Sequence, residues 1–259
     1  MNKTKIEWCD DSWNPVTGCK HGCEYCYARR IASRFGGYDS GGGITTFMPL
    51  PRAELHQPLT ITRANGQTVN SPYPFGFEPT LHRYRLEEPA RKTRPRTIFV
   101  CSMADLFGAW VPDGWIEEVF KACEEAPQHR YLFLTKNPQR LCDLANTGKL
   151  PKADNFWYGT SVTRKGASFF GGSIHFNTFL SVEPLLEPLD AGIGSFGGAR
   201  WIIVGAETGN RAGKVVPQKE WIDNICEAAA LTRAAVFMKD SLTPVVGEEN
   251  MRREYPWEV

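Results

Sequence analysis

The chain has 259 residues, 42% of them hydrophobic and 23% charged, with a formal net charge of +1. This is an ordinary globular composition, and it excludes a protein steered as a whole toward nucleic acid or membrane by its charge. No apolar run follows Met1 and no stretch approaches the roughly 18 apolar residues of a membrane span, so the expected compartment is the cytoplasm.

In chain order, the first predicted strand covers Ser12 to Val16, followed by a cysteine-bearing loop and a helix over Tyr27 to Phe35. Residues 36–74 carry a glycine run, several prolines and an Asn65-Gly66 turn between ITRA and QTV, which predicts a loop-rich insertion with a hairpin. A further strand is expected near Phe75 to Glu78. From Thr97 on, apolar β-rich runs end in polar residues and alternate with helical segments. The strands are read at Thr97 to Cys101, Tyr131 to Leu134, Trp157 to Val162, Phe179 to Val182, Trp201 to Gly205 and Ala235 to Met238. The helices are read at Asp113 to Glu125, Pro138 to Ala145 and Gln218 to Leu231. Continuous apolar strands between helices predict a parallel sheet covered on both faces. The expected fold is therefore α/β, a (β/α) barrel, complete or partial, of six to eight parallel strands in a single domain over 1–259, with the insertion as a flap over its mouth.

In such a barrel the chemistry sits at the C-terminal ends of the strands. Those ends carry Ser102 and Asp105, Thr135 and Lys136, Thr160 and Ser161, Ser181 and Glu183, Glu207, and Lys239 and Asp240. Each has a plainer role open to it, because Ser, Thr and Asp at strand ends also cap the next helix. Glu183, before Pro184 in SVEPLLEP, and Glu207, in VGAETGN, are read as site residues.

Eight cysteines in a chain without a secretory signal argue against a disulfide framework. Cys101, Cys123, Cys142 and Cys226 stand singly in apolar or helical stretches and read as small buried hydrophobes. Cys19, Cys23 and Cys26 differ, packed with glycines into GCKHGCEYCYARR. Three uses are open to them: a zinc site with His21 as fourth ligand, a redox pair of Cys23 and Cys26 at a helix start, or an iron–sulfur cluster that keeps one iron open.

A C-x3-C-x2-C loop between a strand and a helix, with Tyr25 just before the last cysteine, resembles the fingerprint of the radical S-adenosylmethionine superfamily. The longer runs TKIEWCDDSWNPVTGC, CEYCYARRIA, IFVCSMADLFG, FLTKNPQRL, WYGTSV, LSVEPLLEPL and WIIVGAETG are similar to a phage- and prophage-associated branch of such three-cysteine proteins. The resemblance implies a barrel of the radical S-adenosylmethionine type and a 4Fe-4S cluster on Cys19, Cys23 and Cys26. It further implies S-adenosylmethionine as cofactor, cleaved to methionine and a 5′-deoxyadenosyl radical, and an electron donor such as flavodoxin or ferredoxin. Tyr25 is expected against the cluster and the adenine, and Ser102, Ser161, Glu183, Gly205, Glu207 and Lys239 become the expected cofactor contacts. Phe77-Glu78-Pro79 is the nearest counterpart of the family's stretch for the methionine amine. The chain departs from the branch at Cys9, where threonine is usual, and a buried structural role is read for that residue.

The stretch LHRYRLEEPARKTRPR, residues 81–96, holds six Arg or Lys against two Glu with Tyr84 between them. It reads as a solvated charged face or as a contact for a nucleotide or nucleic-acid substrate, with Lys136, Arg140, Arg211 and Lys239 as added charge. The leading expectation is a radical enzyme that modifies or repairs a nucleotide or nucleic-acid base. The alternatives are a radical enzyme acting on a peptide or small metabolite, and a metal-stabilised binding module without catalysis.

Overall fold

The computed structural model describes residues 1–35, 53–62, 65–171, 174–189 and 196–258, and the chain divides into two units, residues 1–131 and 132–259. The first contains β1 (Asn2–Lys3), β2 (Asp11–Trp13), β3 (Val16–Thr17), α1 (Tyr27–Phe35), β4 (Ala53–Leu55), β5 (Thr60–Thr62), β6 (Thr68–Asn70), β7 (Thr80–His82), β8 (Thr97–Val100) and α2 (Asp113–Glu124). The boundary falls within β9 (Arg130–Thr135). The second unit continues with α3 (Pro138–Asn146), β10 (Phe156–Ser161), β11 (Asn177–Val182), β12 (Trp201–Val204), α4 (Lys219–Thr232), β13 (Ala235–Met238) and α5 (Thr243–Val246).

The predicted (β/α) barrel is not formed. The large sheet is mixed and open, in the order β1-β2-β8-β9-β10-β11-β12-β13, and β1 runs antiparallel to β2. A barrel of that type needs a helix after each strand to wrap the sheet on itself. Among the described residues no helix lies between β10 and β11 or between β11 and β12. Those connections carry Gly166, Gly171, Pro184, Pro188, Gly197 and Gly198, residues that oppose a continuous helix. With no barrel there is no barrel mouth for the insertion to cover, and its residues 36–52 and 63–64 lie outside the described ones.

In the first unit the predicted Ser12 to Val16 strand is divided at Asn14-Pro15, since proline has no N–H for a ladder. Its first half, β2, pairs parallel to β8, while β3 joins β7 and β4 in a separate three-stranded sheet. The predicted strand near Phe75 to Glu78 is a turn that leads into β7. The Asn65-Gly66 hairpin forms, with β5 and β6 antiparallel and Thr60 opposite Asn70. The helices Tyr27–Phe35, Asp113–Glu124 and Pro138–Asn146 start where the apolar spacing places them.

In the second unit β10 to β13 are parallel and share one register: Ser161 pairs with Ser181, Ser181 with Ile203, and Ile203 with Phe237. Alternate residues along a strand face opposite sides. One face, with Leu180, Val182, Ile202, Val204, Val236 and Met238, packs on Ile222, Ile225, Ala228 and Ala229 of α4. The opposite face carries Phe179, Trp201 and Phe237, covered by Tyr255 and Trp257 of the C-terminal segment, with Trp201 and Trp257 ring centroids 5.2 Å apart. The Trp201 indole N–H donates to the Glu254 carbonyl at 3.0 Å, so the aromatic cover is also satisfied as a polar group.

Gly159 shows how closely that second face is filled, because a Cβ there would lie 2.2 Å from the Phe179 ring. Gly159→Ala is expected to destabilise the protein by about 1–3 kcal/mol through overpacking. Urea unfolding checks this: the midpoint falls at unchanged slope, and an unmoved midpoint contradicts the packing described.

Candidate functional site

In the first unit the chain leaves β3 through Gly18, which has φ +90° and whose N–H donates to the Met103 carbonyl at 2.9 Å. A Cβ at Gly18 would sit 2.3 Å from the Glu78 carbonyl oxygen, so only glycine fits there. The Cys19 N–H donates to the Phe77 carbonyl at 3.1 Å, and the Cys26 N–H closes a turn onto the Cys23 carbonyl at 3.2 Å. Helix α1 starts at the next residue and docks through Ala28 and Ala32. From its first turn the Arg29 N–H points at Cys26 Sγ at 3.4 Å, and its guanidinium donates to the Cys19 carbonyl at 3.3 Å while lying over the Phe77 ring.

The result is a loop that holds three half-buried thiols, none in a disulfide. Burial pushes the Cys19 thiol up to about 12, against the His21 backbone N–H that lowers it, and the negative charge of Asp105, Cys23 and Cys26 pushes it further. Cys19 thus lies within electrostatic reach of Cys23 and Cys26. Thiolate ligation of a metal would release the thiol protons. Among the described residues no three His, Cys, Asp or Glu side chains close on a single ion. The donor set, three thiolates on one backbone-tied loop, fits the cluster.

The other expected residues of this unit are placed as follows. Tyr25 is half-buried within the loop. Ser102 donates to Asn14 Oδ1 at 3.2 Å, and its carbonyl accepts the Tyr27 hydroxyl at 2.7 Å. Asp105 serves a turn, taking the Phe107 N–H at 3.0 Å, and its second oxygen meets His21 Nε2 at 2.7 Å. Cys9 Sγ donates to the Ile6 carbonyl at 3.9 Å. Glu78 pairs with Lys20 on the surface at 3.1 Å. Several cations of the basic stretch have partners, while Arg91, Arg94 and Arg96 stay exposed. Arg83 pairs with Glu54 and Glu118, Arg85 donates to the Asn14 carbonyl, Arg91 pairs with Glu87, and Lys92 and Arg96 share Asp11.

In the second unit the common register brings Glu183, Gly205 and Lys239 side by side, each the first residue after its strand. They follow Ser181, Ile203 and Phe237 by two positions and so project on the same face, which Ser161 also shares. Lys239 Nζ pairs with Glu183 Oε1, and both side chains keep partial exposure, 15% and 25%. A Cβ on Gly205 would lie 3.1 Å from Lys239 Cδ and 3.2 Å from Glu183 Cγ, so glycine lets the pair close over the strand end. A cleft of about 360 Å³ is lined by Val215, Val216, Pro244 and Val245, with Glu207, Thr208, Lys214 and Ser241 as polar groups. Thr160 and Thr135 serve turns, accepting the Phe170 and Asn137 N–H groups, and Asp240 pairs with Arg253.

Glu207 is engaged internally. Its two oxygens take Arg211 Nε at 2.6 Å and Nη2 at 2.8 Å, a fork that fixes the 205–215 loop. That hydrogen bonding, with help from the Val215 N–H and Lys214, holds the carboxyl below its usual 4.5 against the effect of burial. A lowered folded value means the contribution is complete above about 4.5 and is lost as pH falls through the folded value. Glu207→Gln is therefore expected to cost about 1–2 kcal/mol near neutrality. In acid the gap to the parent closes; chemical denaturation at a series of pH values checks this, and a gap constant down to strong acid contradicts it.

The sequence did not single out Gly18, Tyr27, Arg29 or the His21–Asp105 contact, because each acts through residues far along the chain. Among the described residues no helix is long and apolar enough to cross a membrane. No curated protein and no solved structure matches the chain. Residues 3–244 match the family described as "Protein of unknown function (DUF5131)", and the chain belongs to that family.

Proposed function

We propose that the protein is a radical S-adenosylmethionine enzyme whose Cys19, Cys23 and Cys26 hold a 4Fe-4S cluster with one iron open. The observation that carries this reading is the loop itself: three half-buried cysteines outside any disulfide, shaped by backbone contacts at Gly18, Cys19 and Cys26. Held by Cys19, Cys23 and Cys26, and reduced by an outside donor such as flavodoxin or ferredoxin, such a cluster would supply the one electron that reductive cleavage of S-adenosylmethionine to methionine and a 5′-deoxyadenosyl radical requires.

The chain's own contributions are binding and orientation. The Arg29 N–H steadies the Cys26 sulfur, and its guanidinium ties Cys19 to the start of α1. In the second unit Glu183 and Lys239 pair as a carboxylate and an ammonium at neighbouring strand ends, a polar pair suited to a zwitterionic ligand. Ser161 adds a hydroxyl at the same strand ends. Support for a nucleotide or nucleic-acid substrate comes from α1, where exposed Arg30 and Arg34 stand near Tyr27 and Phe35, 45% and 53% exposed. Guanidinium groups contact phosphate and aromatic rings stack on bases.

Protein purified without oxygen is expected to be brown, with about four irons per chain. Cys19→Ala, Cys23→Ala and Cys26→Ala each abolish the colour, while Cys9→Ala keeps it. Reduced wild-type protein given S-adenosylmethionine forms 5′-deoxyadenosine, read by mass spectrometry and stimulated by the true substrate. Colourless protein that retains zinc instead would make the loop a structural device and the protein a binding module.

A further inference from the structure

Between Cys19 and Cys23, Lys20 reaches only a half-exposed partner, Glu78, whereas the His21 side chain reaches a buried one. Its Nε2 lies 2.7 Å from Oδ2 of Asp105, a carboxylate only 6% exposed, while the imidazole itself is 23% exposed. Asp105 cannot swing freely, because its other oxygen already takes the Phe107 N–H at 3.0 Å. The imidazole also meets the Trp110 indole edge-on, with centroids 4.8 Å apart and planes at 77°. Trp110 in turn lies so close over Gly108 that a Cβ there would be 2.4 Å from the indole. Asp105, Gly108 and Trp110 all belong to the β8 to α2 connection, the same segment that receives the Gly18 N–H through Met103. The loop is therefore gripped by that connection twice, at its start and at its middle, with Cys19 between the two grips and Cys23 just beyond the second.

We infer that His21 is a positioning residue, which through Asp105 and Trp110 fixes the path of the backbone that carries Cys19 and Cys23. The inference rests on the cluster reading of the loop. Without the second grip the thiolates must be ordered when the cluster is assembled and are freer to leave it, and groups that orient metal ligands in this way typically change retention by about 10–100-fold.

The test uses the full chain with and without its cluster. Anaerobic release of iron to a chelator, followed by the loss of visible absorbance, is expected to be about 10-fold or more faster in His21→Ala. Amide hydrogen exchange of the cluster-free protein is expected to speed up over residues 19–26 and not in β2 or β8. His21→Gln, whose amide can reach Asp105, is expected to restore both readouts toward wild type, which general loss of stability would not do. His21→Leu keeps the bulk but not the bond and replaces His21→Ala if that variant does not fold. Wild-type release and exchange in His21→Ala or His21→Leu overturns the inference, as does a His21→Gln no better than either. If the wild-type chain takes up no cluster, the functional reading falls, and the exchange arm still decides whether His21 fixes the loop.

Discussion

At Gly18 the backbone passes so close to the Glu78 carbonyl that no side chain has room, and the rest of the first unit's candidate site depends on that passage. The positive φ turns the chain between Met103 on one side and the Phe77–Glu78 turn on the other. Cys19 can then donate to Phe77, and Arg29 can return from α1 to the Cys19 carbonyl. These are contacts of backbone groups at the edge of a packed layer. The surface pair of Lys20 and Glu78, roughly half exposed on both sides, adds little by comparison, since such pairs are worth about 0–1 kcal/mol. The loop's start is therefore set by sterics and backbone hydrogen bonds, while its middle meets the β8 to α2 connection through the His21 side chain.

The second unit reaches a comparable end by a different route. Four parallel strands in one register place equivalent residues in rows, and the row beyond the last aromatic layer is polar: Glu183, Gly205, Lys239. Tyr255 and Trp257 cover one part of that face and α4 covers the other face. Burying that much apolar area stabilises the strands, and their ends can carry a carboxylate and an ammonium because opposite charges meet there at partial exposure. The same unit uses Glu207 differently, as the anchor of a loop through Arg211.

Much of this was legible in the sequence, for reasons that can be named. The strands Trp201–Val204 and Ala235–Met238 are short apolar runs bounded by polar or glycine residues, and the alternation with helices announces a parallel sheet. From such strands the grouping of Glu183, Gly205 and Lys239 follows by register alone. The closed barrel did not follow, because closure depends on what covers the sheet after β10 and β11, and there the glycines and prolines speak against helices. Local pattern also ran the first strand unbroken from Ser12 to Val16, where Pro15 deserved more weight than the apolar residues around it. The charge of the basic stretch was visible in the sequence and several of its partners were not: Glu54, Glu118 and Asp11 lie far from it in sequence. Tyr27 and Ser102 meet across 75 residues, beyond the reach of any spacing rule.

The central claim is that the cysteine loop supplies one thiolate fewer than a cluster has irons, leaving an iron for the cofactor's amino and carboxylate groups. Electron–nuclear double resonance on the reduced protein, mixed with S-adenosylmethionine labelled with ¹⁵N in the amino group and ¹⁷O in the carboxylate, addresses it directly. The account predicts hyperfine coupling from both labels to the cluster spin. A well-formed cluster signal that shows no coupling to either label would contradict it.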